Sequence, residues 1–193
     1  FVLLCLLGHR IKEKQVMTGP KILVTGASGF VGEALVFRML MDKKYCPIAA
    51  VRGETRLRGL CPVQKFDLLD EHCAPWPEGV EVVIHAAARV HIMGEQADEA
   101  LAEFRKVNVQ GSLRLARQAI AMGVRRFIYV SSIKVNGEST APGKAFSADD
   151  RADPQDSYGV SKYEAETALM SLAHESGMEV VIIRPPLVYG PGV

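Results

Sequence analysis

The chain has 193 residues, 48% of them apolar, with 23 basic against 22 acidic side chains and a formal net charge of +1. That length can bury one good core and is most simply one domain, and the interspersed charge argues against a general nucleic-acid or membrane surface. The four cysteines, Cys5, Cys46, Cys61 and Cys73, form no C-x-x-C pair and no metal-ligand spacing. They read as reduced thiols of a cytoplasmic protein with no metal site.

The apolar run Phe1 to Gly8 is too short to span a membrane and has neither an initiating Met nor a basic leader. A polar run follows, and Met17 sits just before the first strand. Residues 1–16 are therefore read as a non-native or disordered leader and 17–193 as the folded domain. A truncated signal or anchor is the competing reading.

The next stretch organises the rest. Ile22 to Val24 reads as a buried strand, glycines recur at Gly26, Gly29 and Gly32, and the amphipathic run Glu33 to Lys44 follows at once. Strand, glycine turn and helix together suit a dinucleotide. Gly26 permits the sharp turn, Gly29 lets backbone approach a pyrophosphate, and Gly32 lets helix and strand pack closely. The helix then points its unpaired N–H groups at phosphate. The spacing is G-x-x-G-x-x-G, and a tight turn that binds nothing is the bland alternative.

Cys46 to Val51 is a second apolar run and ends at Arg52, twenty residues past Gly32. An acidic residue there would bond a ribose 2′-hydroxyl, whereas an arginine suits a 2′-phosphate. Arg56 and Arg58 follow, so the lean is toward NADP over NAD, against a solvated basic loop. Val63 to Phe66 reads as a third strand, followed by Asp67-Leu68-Leu69-Asp70. Pro75-Trp76-Pro77 marks a loop. The nearly continuous apolar run Val80 to His85 suits a strand covered on both faces, and Ala86, Ala87 and Ala88 at its end would let a flat ligand lie close.

Ala97 to Met122 carries apolar residues at helical spacing. Asn108 falls inside it, where a buried amide needs partners and would fix a bend or a water. Val124 to Val130 reads as a fifth strand and runs into Ser131-Ser132. A loop rich in Gly, Ser, Pro and Asp spans about Asn136 to Ser157. A helix from Tyr158 to His174, ended by Gly177, and a strand Glu179 to Ile183 complete an alternating pattern. That pattern predicts an α/β fold with a doubly wound parallel sheet.

Tyr158 and Lys162 lie one turn apart on one helix face. A free tyrosine, with a pKa of about 10, is too weakly acidic to serve as a base near neutrality. A nearby ammonium and the helix N-terminus would lower that value. Such a tyrosine can exchange a proton with a substrate oxygen while hydride moves to or from a nicotinamide. Ser132, at the end of the neighbouring strand, is placed to hydrogen-bond the same oxygen.

The chain resembles an extended short-chain dehydrogenase/reductase of the NAD-dependent epimerase/dehydratase, UDP-glucose 4-epimerase-like kind. The matching residues are Thr25 to Gly32, Asp67-Leu68, His85 to Ala88, Asn108 to Gly111, Ser131-Ser132, Tyr158 to Lys162 and Arg184 to Gly192. The resemblance implies a Rossmann fold in which Gly26, Ser28, Gly29, Phe30, Val31 and Gly32 hold the pyrophosphate. It also implies that Asp67 and Leu68 contact the adenine and that Ala86 to Ala88 line the cofactor. Lys162 would hold the nicotinamide ribose, Tyr158 would be the acid/base with Ser132 its partner, and Asn108 would order the site. Pro185 and Leu187 would pass near the nicotinamide.

The substrate implied is a nucleotide sugar, most simply a UDP-sugar at C4, with a homodimer left open for the full-length parent. A steroid- or flavonoid-type reductase and a non-catalytic NAD(P)-binding module are the alternatives. Three departures stand out. Asn136 replaces the aromatic of V-Y-G, Arg52 replaces an acid, and the smaller C-terminal substrate domain is largely missing after Val193. Surface near Tyr189 and the 136–157 loop is therefore expected to be exposed and apolar.

Overall fold

Each run expected as a strand among the described residues joins one parallel sheet. The computed structural model describes residues 18–70, 76–90 and 97–190, so the expectations for the leader, Met17, Pro75 and residues 191–193 lie outside it. The strands are β1 (Lys21–Thr25), β2 (Cys46–Val51), β3 (Val63–Lys65), β4 (Val80–His85), β5 (Arg126–Val130) and β6 (Glu179–Ile183). The helices are α1 (Phe30–Asp42), α2 (Ala97–Phe104), α3 (Ser112–Ala121) and α4 (Ser157–Ser176), with a π-helical segment Arg105–Gly111 between α2 and α3.

The strand order is β3-β2-β1-β4-β5-β6, parallel throughout. The order reverses direction between β1 and β4. Right-handed crossovers then send α1 to one face and the later helices to the other, and a crevice opens at the carboxyl ends of the strands. Leu23, Val83, Phe127 and Tyr129 pack beneath Leu115 and Ala119 of α3 and Ala165 and Leu169 of α4. Val24, Ala49, Val82 and Ile84 meet Val36 and Met39 of α1 on the opposite face.

That second face is covered unevenly. Phe127 and Tyr129 are fully buried, while Ile128 and Val130 beside them are only half-buried. Ile183 is exposed, and Leu187 and Tyr189 are each 84% exposed. The expected apolar surface near Tyr189 is present. The 136–157 loop differs: its exposed stretch 138–145 is mostly polar or small.

The single helix expected over Ala97–Met122 is broken by the π segment, which buries Asn108 at its centre and Gly111 at its end. The first helix begins at Phe30 rather than Glu33, because the glycine turn itself supplies the first turn, and Lys43 ends it at φ 55°. Asp156 caps α4, which starts at Ser157, one residue before Tyr158, and its Oδ1 accepts the Gly159 N–H at 2.6 Å. Gly177 closes the helix at φ 75°.

Candidate functional site

The crevice is floored by the glycine turn. Gly26 has φ 66°, and a Cβ there would lie 2.7 Å from Ala87 N. A Cβ on Gly32 would lie 2.2 Å from the Gly26 carbonyl oxygen, so this glycine sets the closeness of helix and strand. Gly29 is different: its Cβ would meet only Gly26 O, at 3.2 Å, and otherwise enter the cleft. No side chain caps α1, so its first-turn N–H groups carry the helix's positive end without an internal partner.

A cleft of about 680 Å³ brings most of the expected cofactor residues together. Gly26, Ser28, Gly29, Phe30, Val31, Gly32, Arg52, Asp67, Leu68, Ala86, Ala87 and Ala88 all line it. Arg89, Val90 and Val107, which sequence reasoning did not single out, line it too. Asn108, Ser132, Tyr158, Lys162, Pro185 and Leu187 lie outside this lining, and Leu187 points largely to solvent. Arg56 pairs with Glu33, and Arg58 with Glu54 at 3.5 Å. Arg52 has no acidic partner among the described residues. A backbone cradle, an uncapped helix end and an unpaired arginine fit a phosphate-bearing dinucleotide.

Behind the cleft runs a buried hydrogen-bonded chain. Ser112 Oγ donates to the Asn108 carbonyl at 2.6 Å, which uses its only proton, so it accepts from His85 Nε2 at 2.8 Å. His85 Nδ1 then accepts from Thr25 Oγ1 at 2.6 Å, and Thr25 Oγ1 accepts the Ala87 N–H at 3.4 Å. The network thus assigns the Nε2–H tautomer. Burial, then the nearby Lys162, pushes the His85 pKa down to about 3, so the ring is neutral. Its role is to join β1, β4 and the π segment.

Asn108 clamps both backbone groups of Arg89. Its Oδ1 accepts the Arg89 N–H at 2.8 Å, and its Nδ2 donates to the Arg89 carbonyl at 3.1 Å and to Ser161 Oγ at 3.0 Å. Ser161 Oγ donates onward to the Tyr158 carbonyl at 2.7 Å. The bend expected of a buried Asn is the π segment, and its partners span the end of β4 and the start of α4.

Lys162 is 1% exposed. Its Nζ donates to the Val130 carbonyl at 2.8 Å and sits 4.1 Å from the Tyr129 ring centroid. Burial lowers its pKa to about 7, against a raising influence from Glu166. Tyr158, in edge contact with Phe104, is shifted the opposite way from the sequence expectation. Burial first, and the Asp156 carboxylate second, raise its pKa. The ammonium that would lower it is spent on Val130, and the N-cap that begins the helix is itself an anion.

Ser132 opens a short 3₁₀ turn, Ile133–Val135, and its Oγ accepts the Lys134 N–H at 3.2 Å. Lys134 Nζ bonds Asp156 and Glu138, each at 2.8 Å, tying the serine segment to the cap of α4. The Ile133 N–H donates to the Pro185 carbonyl at 3.0 Å. Asn136, the departure from V-Y-G, is buried. It accepts from Arg184 Nη1 at 3.2 Å and donates to the Ser147 carbonyl at 3.1 Å. Arg184 in turn forks onto the buried Glu166 at 2.6–3.1 Å.

Glu166 and Asp156 were not anticipated. A polar residue on the buried stripe one turn after Lys162, and an Asp before a helix, are the signals that would have found them. Thr25 and Ser112 carry no such signal.

A glycine turn after β1, a 3-2-1-4-5-6 parallel sheet and a cleft at its carboxyl ends define a dinucleotide-binding α/β domain. The NAD dependent epimerase/dehydratase family matches residues 22–193, and the chain belongs to that family. It is 46% identical over 176 residues to a UDP-glucose 4-epimerase of Vibrio cholerae, covering 90% of this chain and 54% of the relative. It is 32% identical over 184 residues to a 3 beta-hydroxysteroid dehydrogenase/Delta 5-->4-isomerase of Mycobacterium tuberculosis, covering 89% and 48%.

Among solved structures, the UDP-glucose 4-epimerase of Thermotoga maritima with UDP-glucose aligns with TM-score 0.69 at 27% identity, covering 89% and 57%. The UDP-glucuronic acid 4-epimerase of Bacillus cereus in complex with NAD aligns at 0.71 and 25%, with the same coverage. The chain spans about half the length of the curated relatives it matches. No described helix is long and apolar enough to cross a membrane.

Proposed function

We propose that the protein is an NAD(P)-dependent epimerase or reductase of a nucleotide-activated sugar, acting at C4 of a UDP-sugar with Tyr158 as acid/base. The observation that carries this reading is Lys162, whose amine is fully buried at the carboxyl end of β5, one helical turn from Tyr158. Burying a lysine amine opposes folding, and redox chemistry on an alcohol gives it a use. The 46% identity to a UDP-glucose 4-epimerase supports the substrate class.

Bound NAD(P) supplies the hydride acceptor or donor; the chain's own groups handle the proton. Ser132 Oγ accepts the Lys134 N–H, which leaves its own proton for the substrate oxygen. Tyr158, held protonated by burial and by Asp156, is set to donate to a carbonyl oxygen. In the oxidative direction it must take the sugar hydroxyl proton, and a charged Lys162 lowers the cost of the phenolate. Asn108 and Ser161 hold the Tyr158 backbone against Arg89. Epimerisation and 4-keto reduction use the same side chains. Arg52, unpaired at the cleft wall, favours a 2′-phosphorylated cofactor.

The test joins binding and turnover. NADH and NADPH are titrated against the protein, and UDP-glucose and UDP-galactose are offered to it beside Tyr158→Phe. Binding with Tyr158-dependent turnover supports the reading. Binding without any Tyr158-dependent turnover sinks it in favour of a non-catalytic module.

A further inference from the structure

We infer that Lys134 is a positioning residue for Tyr158: by holding the carboxylate that caps α4, it sets how readily the phenol parts with its proton. The inference rests on the proposed reading of Tyr158 as the acid/base.

The turn that follows Ser132 and the first turn of α4 meet around one glycine. A Cβ on Gly159 would lie 2.9 Å from the Lys134 carbonyl oxygen and 3.1 Å from Asp156 Oδ1, so the two backbones touch where a side chain would not fit. The Asp153 N–H donates to the Val135 carbonyl at 2.9 Å and fastens the approach to α4 onto the same turn. Lys134 crosses this junction. Its N–H donates to Ser132 Oγ at 3.2 Å, and its Nζ donates to Asp156 Oδ2 at 2.8 Å. The other Asp156 oxygen accepts the Gly159 N–H at 2.6 Å. The carboxylate is thus fixed through both oxygens, two residues before Tyr158.

The remaining groups around Tyr158 are already engaged. Lys162, one turn along α4, donates to the Val130 carbonyl. On β5, burial holds Tyr129 protonated. The Phe104 ring of α2 meets the Tyr158 ring edge-on. Arg105 of the π segment pairs with Glu164 of α4, and Arg184 beyond β6 pairs with Glu166, each at 2.6 Å. Asp156 is the charge that bears on the phenol, raising its pKa second only to burial. The balance of that charge depends on one ammonium, which Lys134 shares with Glu138 at 2.8 Å. The two carboxylates raise the Lys134 pKa and keep it charged. One cation between two carboxylates leaves the cluster net negative, so Lys134 offsets Asp156 only in part. Without Lys134 the phenol meets an uncompensated carboxylate; without Asp156 it meets a neutral Lys134–Glu138 pair. Lys134 and Asp156 are 39% and 43% exposed, so solvent screens the effect and keeps it modest.

The test reads the phenol itself by fluorine NMR of protein made with ring-fluorinated tyrosine, whose more acidic phenol titrates at lower pH. The Tyr158 resonance is identified by its loss in Tyr158→Phe, and thermal unfolding checks that each variant is folded. Asp156→Asn keeps an oxygen for the cap and is expected to lower the Tyr158 midpoint by about half a pH unit, about threefold in proton affinity. Lys134→Met is expected to raise it by a similar amount, and Lys134→Arg to leave it within about 0.2 unit of wild type. Loosened packing would lower the midpoint in every variant, because burial is the main cause that raises it, so the opposite signs separate charge from structure. A Lys134→Met midpoint that stays or falls overturns the inference, as does a rise in Asp156→Asn. Opposite shifts beside turnover that ignores Tyr158→Phe would uphold the inference and sink the acid/base reading. Unmoved midpoints beside Tyr158-dependent turnover would sink the inference alone.

Discussion

Replacing Lys162 with methionine should stabilise the chain near neutral pH, by an amount that shrinks as pH rises. The side chain is 1% exposed and its pKa falls from 10.5 to about 7 on folding. The difference, 10.5 − 7, is 3.5 units, each worth about 1.4 kcal/mol. Because the folded pKa is the lower one, the unfolded chain holds more protons between about pH 7 and pH 10.5, and wild-type stability rises across that window. At pH 7 the buried amine weighs against folding by on the order of 4 kcal/mol relative to the high-pH limit.

Methionine keeps the unbranched shape without the charge, but it gives up the bond to Val130 and the contact with the Tyr129 ring. The absolute gain is therefore smaller than the ledger for the charge alone. The slope survives this loss. Urea unfolding of both proteins at about pH 7, 8 and 9 should show wild type catching up by about 1 kcal/mol per pH unit. Groups common to both proteins cancel in the difference. A stability gap that stays constant over this range would refute the account of Lys162 as a neutralised buried amine.

Gly29→Ala should leave thermal stability within about 1 kcal/mol of wild type while weakening dinucleotide binding in calorimetry. Gly32→Ala should cost more than about 2 kcal/mol, because its Cβ would stand 2.2 Å from Gly26 O; equal losses in both would contradict the division of roles. His85, with its pKa lowered to about 3 from 6.5, should stay neutral at about pH 5 by imidazole NMR. Stability should decline as pH falls below about 6.5, since the unfolded ring takes the proton first. An NMR titration midpoint near the ordinary value would exclude the buried network drawn for it. Arg184→Met should cost about 3 kcal/mol by leaving Glu166 buried and unpaired. Adding Glu166→Met should recover most of it, and a double variant no better than the single would count against the pairing.

Much of this was legible because it depends on local chemistry. The strands were visible as apolar runs, since a sheet covered on both faces needs no alternation. Gly26, Gly29 and Gly32 were readable because only glycine meets those demands at a turn. The continuous helix over Ala97–Met122 was misread, because apolar spacing tolerates an extra residue and Asn108 acts through partners far away in sequence. The Tyr158 shift was misread for a related reason. A Tyr and a Lys four apart predict proximity, but where the ammonium points depends on Val130, and sequence spacing does not encode burial. Asn136 looked like a lost aromatic and is a gained tether, a distinction visible only once Arg184 and Ser147 are brought beside it.

The π segment has a consequence for sequence length. A π turn spends about one residue more than an α turn on the same rotation, so the segment takes up one residue without turning α3, whose Leu115, Ala116 and Ala119 stay on the sheet. The surplus residue widens the turn around buried Asn108, whose side chain reaches Arg89 and Ser161. Deleting one residue from 105–111 would leave α3 facing the sheet and cost that placement, so the segment serves one side chain and not the helix behind it.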